Sequence, residues 1–160
     1  MSNNLTDVEV DIILPNYNSA KYLEETINSI INQTFKNWSL TIVDANSNDE
    51  TKQILKKYID HKKIKIIFLK KNKKAGFCRN FAIRNSKSDY IAFIDSDDIW
   101  EKEKLSKQLD FMIKNKYHFT YTNYLPFKSD IKKNNLKEIK PRNFFNFEMF
   151  TKDTSIATSS

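Results

Sequence analysis

Cysteine, proline and glycine are scarce in this chain of 160 residues: Cys 1, Pro 3 and Gly 1. The lone Cys78 excludes an internal disulfide and any multi-cysteine zinc site, and it suits a reducing compartment. So few glycines and prolines argue against an all-β fold built on tight turns and against low-complexity linkers. No apolar stretch approaches the roughly 20 residues that span a bilayer. The N-terminus carries no signal-like pattern, so the expected setting is cytoplasmic. Neither G-x-G-x-x-G nor G-x-x-x-x-G-K-[ST] occurs, which disfavours a dinucleotide site of the Rossmann type and a P-loop. His61 and His118 stand beside no nucleophile-like loop, and a structural role is expected of each.

What is present suits a globular domain: 39% apolar and 13% aromatic residues. A chain of this size can bury roughly 70% of its unfolded surface. One domain, or one with part of a second, is therefore expected. The net charge of +7 and pI near 9.3 point to an anionic partner, such as a nucleoside diphosphate or an anionic lipid face. Lysine pairs at 62–63, 70–71, 73–74 and 132–133 suit peripheral docking on the inner membrane face and equally suit solubility. No compact aromatic-and-basic motif occurs, so nucleic acid is not an expected partner.

Apolar periodicity predicts strands over Val8–Leu14 (ended by Pro15), Trp38–Val43, Ile64–Phe68, Tyr90–Ile94 and His118–Tyr124. Between them, helical spacing carries Leu23, Ile27, Ile30 and Ile31, with Asn18 or Ser19 as cap. A second helix presents Ile54, Leu55, Tyr58 and Ile59, a third runs from Gly76 to about Asn85, and a fourth carries Leu105, Leu109, Met112 and Ile113. Beyond Phe127, a loop over 129–140 and a short helix over 143–149 are expected. This alternation predicts an α/β fold, a mostly parallel sheet wrapped by helices. In such sheets ligands bind beyond the carboxyl ends of the strands, near a topological switch point.

The polar residues cluster at those ends: Asn16, Tyr17 and Asn18 after the first strand, Asp44 after the second, Asp95 to Asp98 after the fourth. Tyr90 to Asp98 is the most informative segment, because an apolar run ends there in three carboxylates within four positions. Carboxylates that close repel one another unless a positive charge sits among them, and hard oxygen ligands suit Mg²⁺ or Mn²⁺. An acidic turn capping the next helix is the plainer alternative. Tyr17 suits stacking on a base, Asp97 a metal between phosphates, and Arg79 with Lys73 or Lys74 the remaining phosphate charge.

Five segments in order resemble the motifs of family-2 glycosyltransferases with the GT-A fold. Ile12-Ile13-Leu14-Pro15-Asn16-Tyr17-Asn18 resembles I-I-P-T-Y-N, and Ile31-Asn32-Gln33-Thr34-Phe35 resembles the Q-T-F element. Asp44 to Thr51 resembles D-D-G-S-x-D-x-T, and Ala75 to Ile83 resembles G-x-x-x-A-R-N-x-G-I. Asp95-Ser96-Asp97-Asp98-Ile99-Trp100 resembles D-x-D-D-x-W.

The resemblance implies a nucleotide-sugar donor, most often a UDP-sugar, and transfer with inversion to a glycan or lipid-linked acceptor. The donor-binding set it implies is Pro15, Tyr17, Asn18, Asp44, Arg79, Asp95 and Ser96, with Asp97 and Asp98 as ligands of Mn²⁺ or Mg²⁺. Residues 1–127 would form the donor domain and 128–160 the incomplete start of an acceptor-side region.

The chain departs from the pattern at three places. Ala45 stands where the family has the carboxylate that reads uracil, and a methyl accepts no hydrogen bond; such a loss costs about 0.5–1.5 kcal/mol. Asn46 and Ala82 replace glycines, and Asn46 is expected to tolerate a left-handed backbone. The Glu-Asp pair that supplies the catalytic base is absent, and Asp130, Glu138, Glu148 and Asp153 match no motif, so the base is expected beyond Ser160. The alternatives are a non-catalytic nucleotide-binding or interaction module and a nucleotidyltransferase. The second would want a glycine-rich loop after the first strand, which this sequence lacks.

Overall fold

Strand β1 (Val10–Asn16) is buried along its whole length, as its near-continuous apolar run requires of a strand covered on both faces. The computed structural model describes residues 8–126, 137–143, 148–149 and 156–159. Strand β2 (Trp38–Asp44) lies on one side of β1 and β4 (Tyr90–Phe93) on the other, with β3 (Ile64–Phe68) outside β2. All three pairings are parallel. Helices α1 (Leu23–Ile31), α2 (Thr51–Lys56) and α3 (Ala75–Asn85) make the crossovers, and α4 (Lys104–Lys114) follows β4. The expected parallel sheet flanked by helices is therefore the fold the chain adopts.

Alternation along the strands sorts the core into two layers. Ile12, Leu14, Leu40 and Ile42 pack with Leu23, Ile27 and Ile30 of α1, Leu55 of α2, and Leu105 and Leu109 of α4. Ile13 and Val43 face the opposite way, against Cys78 and Ala82 of α3. Each fully buried Ile or Leu contributes about 1.5–3 kcal/mol. The chain builds outward from β1 through β2 to β3, then returns to the far side of β1 for β4. The carboxyl ends of β1 and β4 thus form the switch point, where a crevice opens by topology.

Three local expectations are corrected. Pro15 does not end β1; it pairs in register with Val43. Ile13 O accepts from Ile94 N on the β4 side, so Pro15, two residues on, turns its missing N–H to the same side, beyond Phe93 where β4 has stopped. Neither Asn18 nor Ser19 caps α1, which begins after Tyr22 without a side-chain cap. The fifth strand over His118–Tyr124 does not form; among the described residues its only pairing is the antiparallel bridge of Tyr124 to Ile139. Without a ladder partner its alternating aromatics cannot hold a strand. The loop over 129–140 and the helix over 143–149 fall largely outside the described residues.

Candidate functional site

The loops after β1 and β2 are braced against each other by side chains. Asp44 has no exposed surface and accepts from Asn16 Nδ2 at 2.7 Å, Ser47 N at 3.0 Å and Ser47 Oγ at 2.5 Å. Asn18 N donates to Ser47 Oγ at 2.9 Å, and its side chain exchanges bonds of 2.8 and 2.9 Å with Asn48. Ser19 N donates to Thr51 Oγ1 at 3.0 Å. Asn18 and Asn46 take left-handed backbone, φ 49 and 63, as the short polar side chain of Asn permits. The Asn16–Asn18 and Asp44–Thr51 segments thus spend their polarity on one another, which fixes the rim of the crevice.

Inside that rim a crevice of about 240 Å³ opens at the switch point, lined by Pro15, Tyr17, Ala45, Lys73, Arg79 and Asp97 among others. Asp95, Ser96, Ala75 and Cys78 also line it. The structure therefore brings together Pro15, Tyr17, Arg79, Asp95, Ser96 and Asp97 of the expected set. Asn18, Asp44 and Asp98 do not line it. Tyr17 is 45% exposed, which leaves its ring free to stack on a planar ligand. Ala75 and Cys78 had no signal in the sequence beyond their place beside Arg79; they line the crevice because α3 crosses its wall.

Arg79 Nη2 donates to Asp95 Oδ1, closing an ion pair across the crevice. Its Nε is buried without a hydrogen-bond partner among the described residues, so the guanidinium keeps unspent donor capacity. Burial pushes the Cys78 thiol up, the Asp44 charge adds to this, and Arg79 opposes it. A neutral, buried thiol is no nucleophile.

The acidic loop after β4 is held from both sides. Thr26 Oγ1 of α1 donates to Ser96 O at 3.1 Å, and Asp98 N to Asp95 O at 3.1 Å. Asp97 is exposed, while Asp98 turns away and bonds Ser159. Burial pushes the Asp98 carboxyl up, the Ser159 hydrogen bond opposes this, and the charges of Asp97 and Asp95 raise it further. Among the described residues no three His, Cys, Asp or Glu side chains converge as a metal cage. A Mg²⁺-type ion usually takes only one or two carboxylates and draws its other ligands from water and phosphate. Asp97, exposed on the crevice, fits that donor set as a single carboxylate.

The chain matches the family model described as Glycosyl transferase family 2 over residues 11–160. TuaG of Bacillus subtilis (strain 168), whose name links it to teichuronic acid biosynthesis, is 41% identical over 117 residues, 72% of this chain and 46% of its own length. WfgD of Escherichia coli, a UDP-Glc:alpha-D-GlcNAc-diphosphoundecaprenol beta-1,3-glucosyltransferase, is 38% identical over 120 residues, 75% of this chain and 47% of its own. The chain thus spans about half the length of the curated relatives it matches. Among solved structures, S. aureus TarS 1-349 in complex with UDP-GlcNAc superposes with TM-score 0.62 at 34% identity, over 67% of this chain and 32% of that one.

Proposed function

Because the chain belongs to glycosyl transferase family 2, we propose that its crevice binds the nucleotide diphosphate of a sugar donor, a UDP-sugar. The sugar then passes, with inversion, to a glycan or lipid-linked acceptor. The observation that carries this reading is the convergence of Tyr17, Lys73, Arg79, Asp95 and Asp97 on one crevice at the switch point. Tyr17 stacks on the base. Lys73 and Arg79 offset diphosphate charge, with the fork of Arg79 suited to two oxygens at once. The Asp95 carboxylate, held by Arg79, faces the donor sugar. Asp97 would hold Mg²⁺ or Mn²⁺, which when bound supplies Lewis-acid stabilisation of the departing diphosphate.

The nearby relatives support the donor class: a TarS structure carries UDP, and WfgD is named for UDP-Glc and a diphosphoundecaprenol acceptor. Inversion requires a base to deprotonate the acceptor hydroxyl during in-line attack. None of the crevice carboxylates is free for it, since Asp95 pairs with Arg79 and Asp97 is assigned to the metal. We place the base on the acceptor side, with residues 1–127 as the donor part and 128–160 as the start of the other. Peripheral contact with an anionic membrane face would bring the exposed lysines 70, 71, 73 and 74 near a lipid-linked acceptor. No helix among the described residues is long and apolar enough to cross a membrane.

Calorimetry with UDP, with and without Mn²⁺, tests the reading. Binding strengthened by metal is expected, and Asp97→Ala should remove the metal-dependent part. No heat and no thermal shift at millimolar UDP in either condition would overturn it. Ala45 favours a second reading, a module that holds a nucleotide and transfers nothing. UDP release from a panel of donors by this chain and by a longer form separates the two: release by neither leaves the module.

A further inference from the structure

We infer that Ser159, a residue with no motif of its own, is the positioning residue of the acidic loop. It is buried, and three groups of that loop meet it. Its Oγ accepts from Asp95 N at 2.8 Å, and its hydroxyl bonds the Asp98 carboxylate. Its carbonyl accepts from Trp100 Nε1 at 3.0 Å. One hydroxyl therefore uses its donor on Asp98 and an acceptor lone pair on Asp95, which is what a hydroxyl can offer. The two bonds pin the first and last members of Asp95-Ser96-Asp97-Asp98, while Thr26 pins the Ser96 carbonyl from the other side.

The consequence is a division of labour among the carboxylates. Asp98 is drawn to Ser159 and Asp95 to Arg79. Asp97, between them, is left exposed and lining the crevice. Removing the Ser159 hydroxyl frees Asp98 and the Asp95 amide together, so the loop loses the geometry that presents Asp97. Because catalytic and binding groups must be held closely to act, the loss falls on metal-assisted binding first.

This inference rests on the donor-site reading, and the test separates the two. UDP is titrated into the full chain, Ser159→Ala and Ser159→Thr, each with and without Mn²⁺. The Asp95 amide is followed by NMR in the ligand-free proteins. Ser159→Ala is expected to lose about tenfold of its Mn²⁺-dependent affinity, to hold metal-free UDP within about twofold, and to shift the Asp95 amide. Ser159→Thr, which keeps the hydroxyl, should restore both. A purely structural role would weaken the two titrations alike, and that result overturns the assignment, as does Ser159→Ala binding like the unaltered chain. If the unaltered chain binds neither UDP nor Mn²⁺, the donor-site reading falls and this inference with it.

Discussion

Arg79 of α3 reaches Asp95 beyond β4 and ties the helical wall of the crevice to its acidic edge. The pair is partly solvated, with side chains 20% and 36% exposed, so its worth to stability is small. Its worth to a ligand is larger, because it orients a guanidinium whose Nε has no partner among the described residues.

Arg79→Lys therefore keeps the charge and loses the fork. UDP affinity should fall about tenfold while the unfolding free energy drops by no more than about 1 kcal/mol. Titration calorimetry beside a urea melt measures both. Unchanged UDP affinity would remove Arg79 from the diphosphate site.

Asp44 carries the opposite expectation. Its carboxylate lies wholly inside, bonded to Asn16 and Ser47, and it does not touch the crevice. Asp44→Ala strands several buried donors, which costs roughly 2–4 kcal/mol. At about 2–4 °C per kcal/mol for a chain of this size, the melting temperature should fall by roughly 5–15 °C. A melting temperature within about 2 °C of the unaltered chain would show that the brace is dispensable.

These two residues show what was legible in the sequence. The strands and their order could be read from apolar runs, and topology carries Tyr17, Arg79 and Asp97 to one place. The fate of Asp44 could not be read, because a carboxylate at a strand end looks the same whether it meets a ligand or a neighbouring loop. Its partner Asn16 lies 28 residues away. Ser159 was harder still: its bond to Asp95 spans 64 residues, and no local pattern records such a contact. Pro15 misled for a different reason. Which side of β1 its missing N–H faces depends on where β4 stops, and only the sheet decides that.

Gly76 sits in the first turn of α3, and a Cβ built there meets nothing within 4 Å. No positive φ requires a glycine at this position. Gly76→Ala should therefore stabilise the chain by about 0.5–1 kcal/mol through helix propensity. If UDP affinity falls as stability rises, the donor approaches the backbone there. If affinity holds, the glycine is unneeded by the ligand. A variant no more stable than the parent in denaturant melts would refute the propensity argument.

Lys104 gives a prediction in pH. Its Nζ lies 4.0 Å from the centroid of the Trp100 ring, and no ion pair joins it among the described residues. The residue is only partly exposed. Burial pulls its pKa down from 10.5 to about 7. Between those two values the unfolded chain holds a proton that the folded chain has released, so the Lys104 contribution to stability rises with pH across that window. Below about 7 both forms are charged and the cost of desolvating the ammonium is fully present. Lys104→Met keeps an apolar stem and removes the charge, at the loss of a cation–π contact worth about 0.5–2 kcal/mol. The variant should be more stable than the parent at pH 6, by on the order of 1–2 kcal/mol. That advantage should shrink steadily and be nearly gone by pH 10, because most of the interval between about 7 and 10.5, over which the folded chain sheds the cost of the charge, has then been crossed. Urea melts at four pH values across this range measure it. An advantage independent of pH would assign the effect to packing against Trp100 and not to the charge.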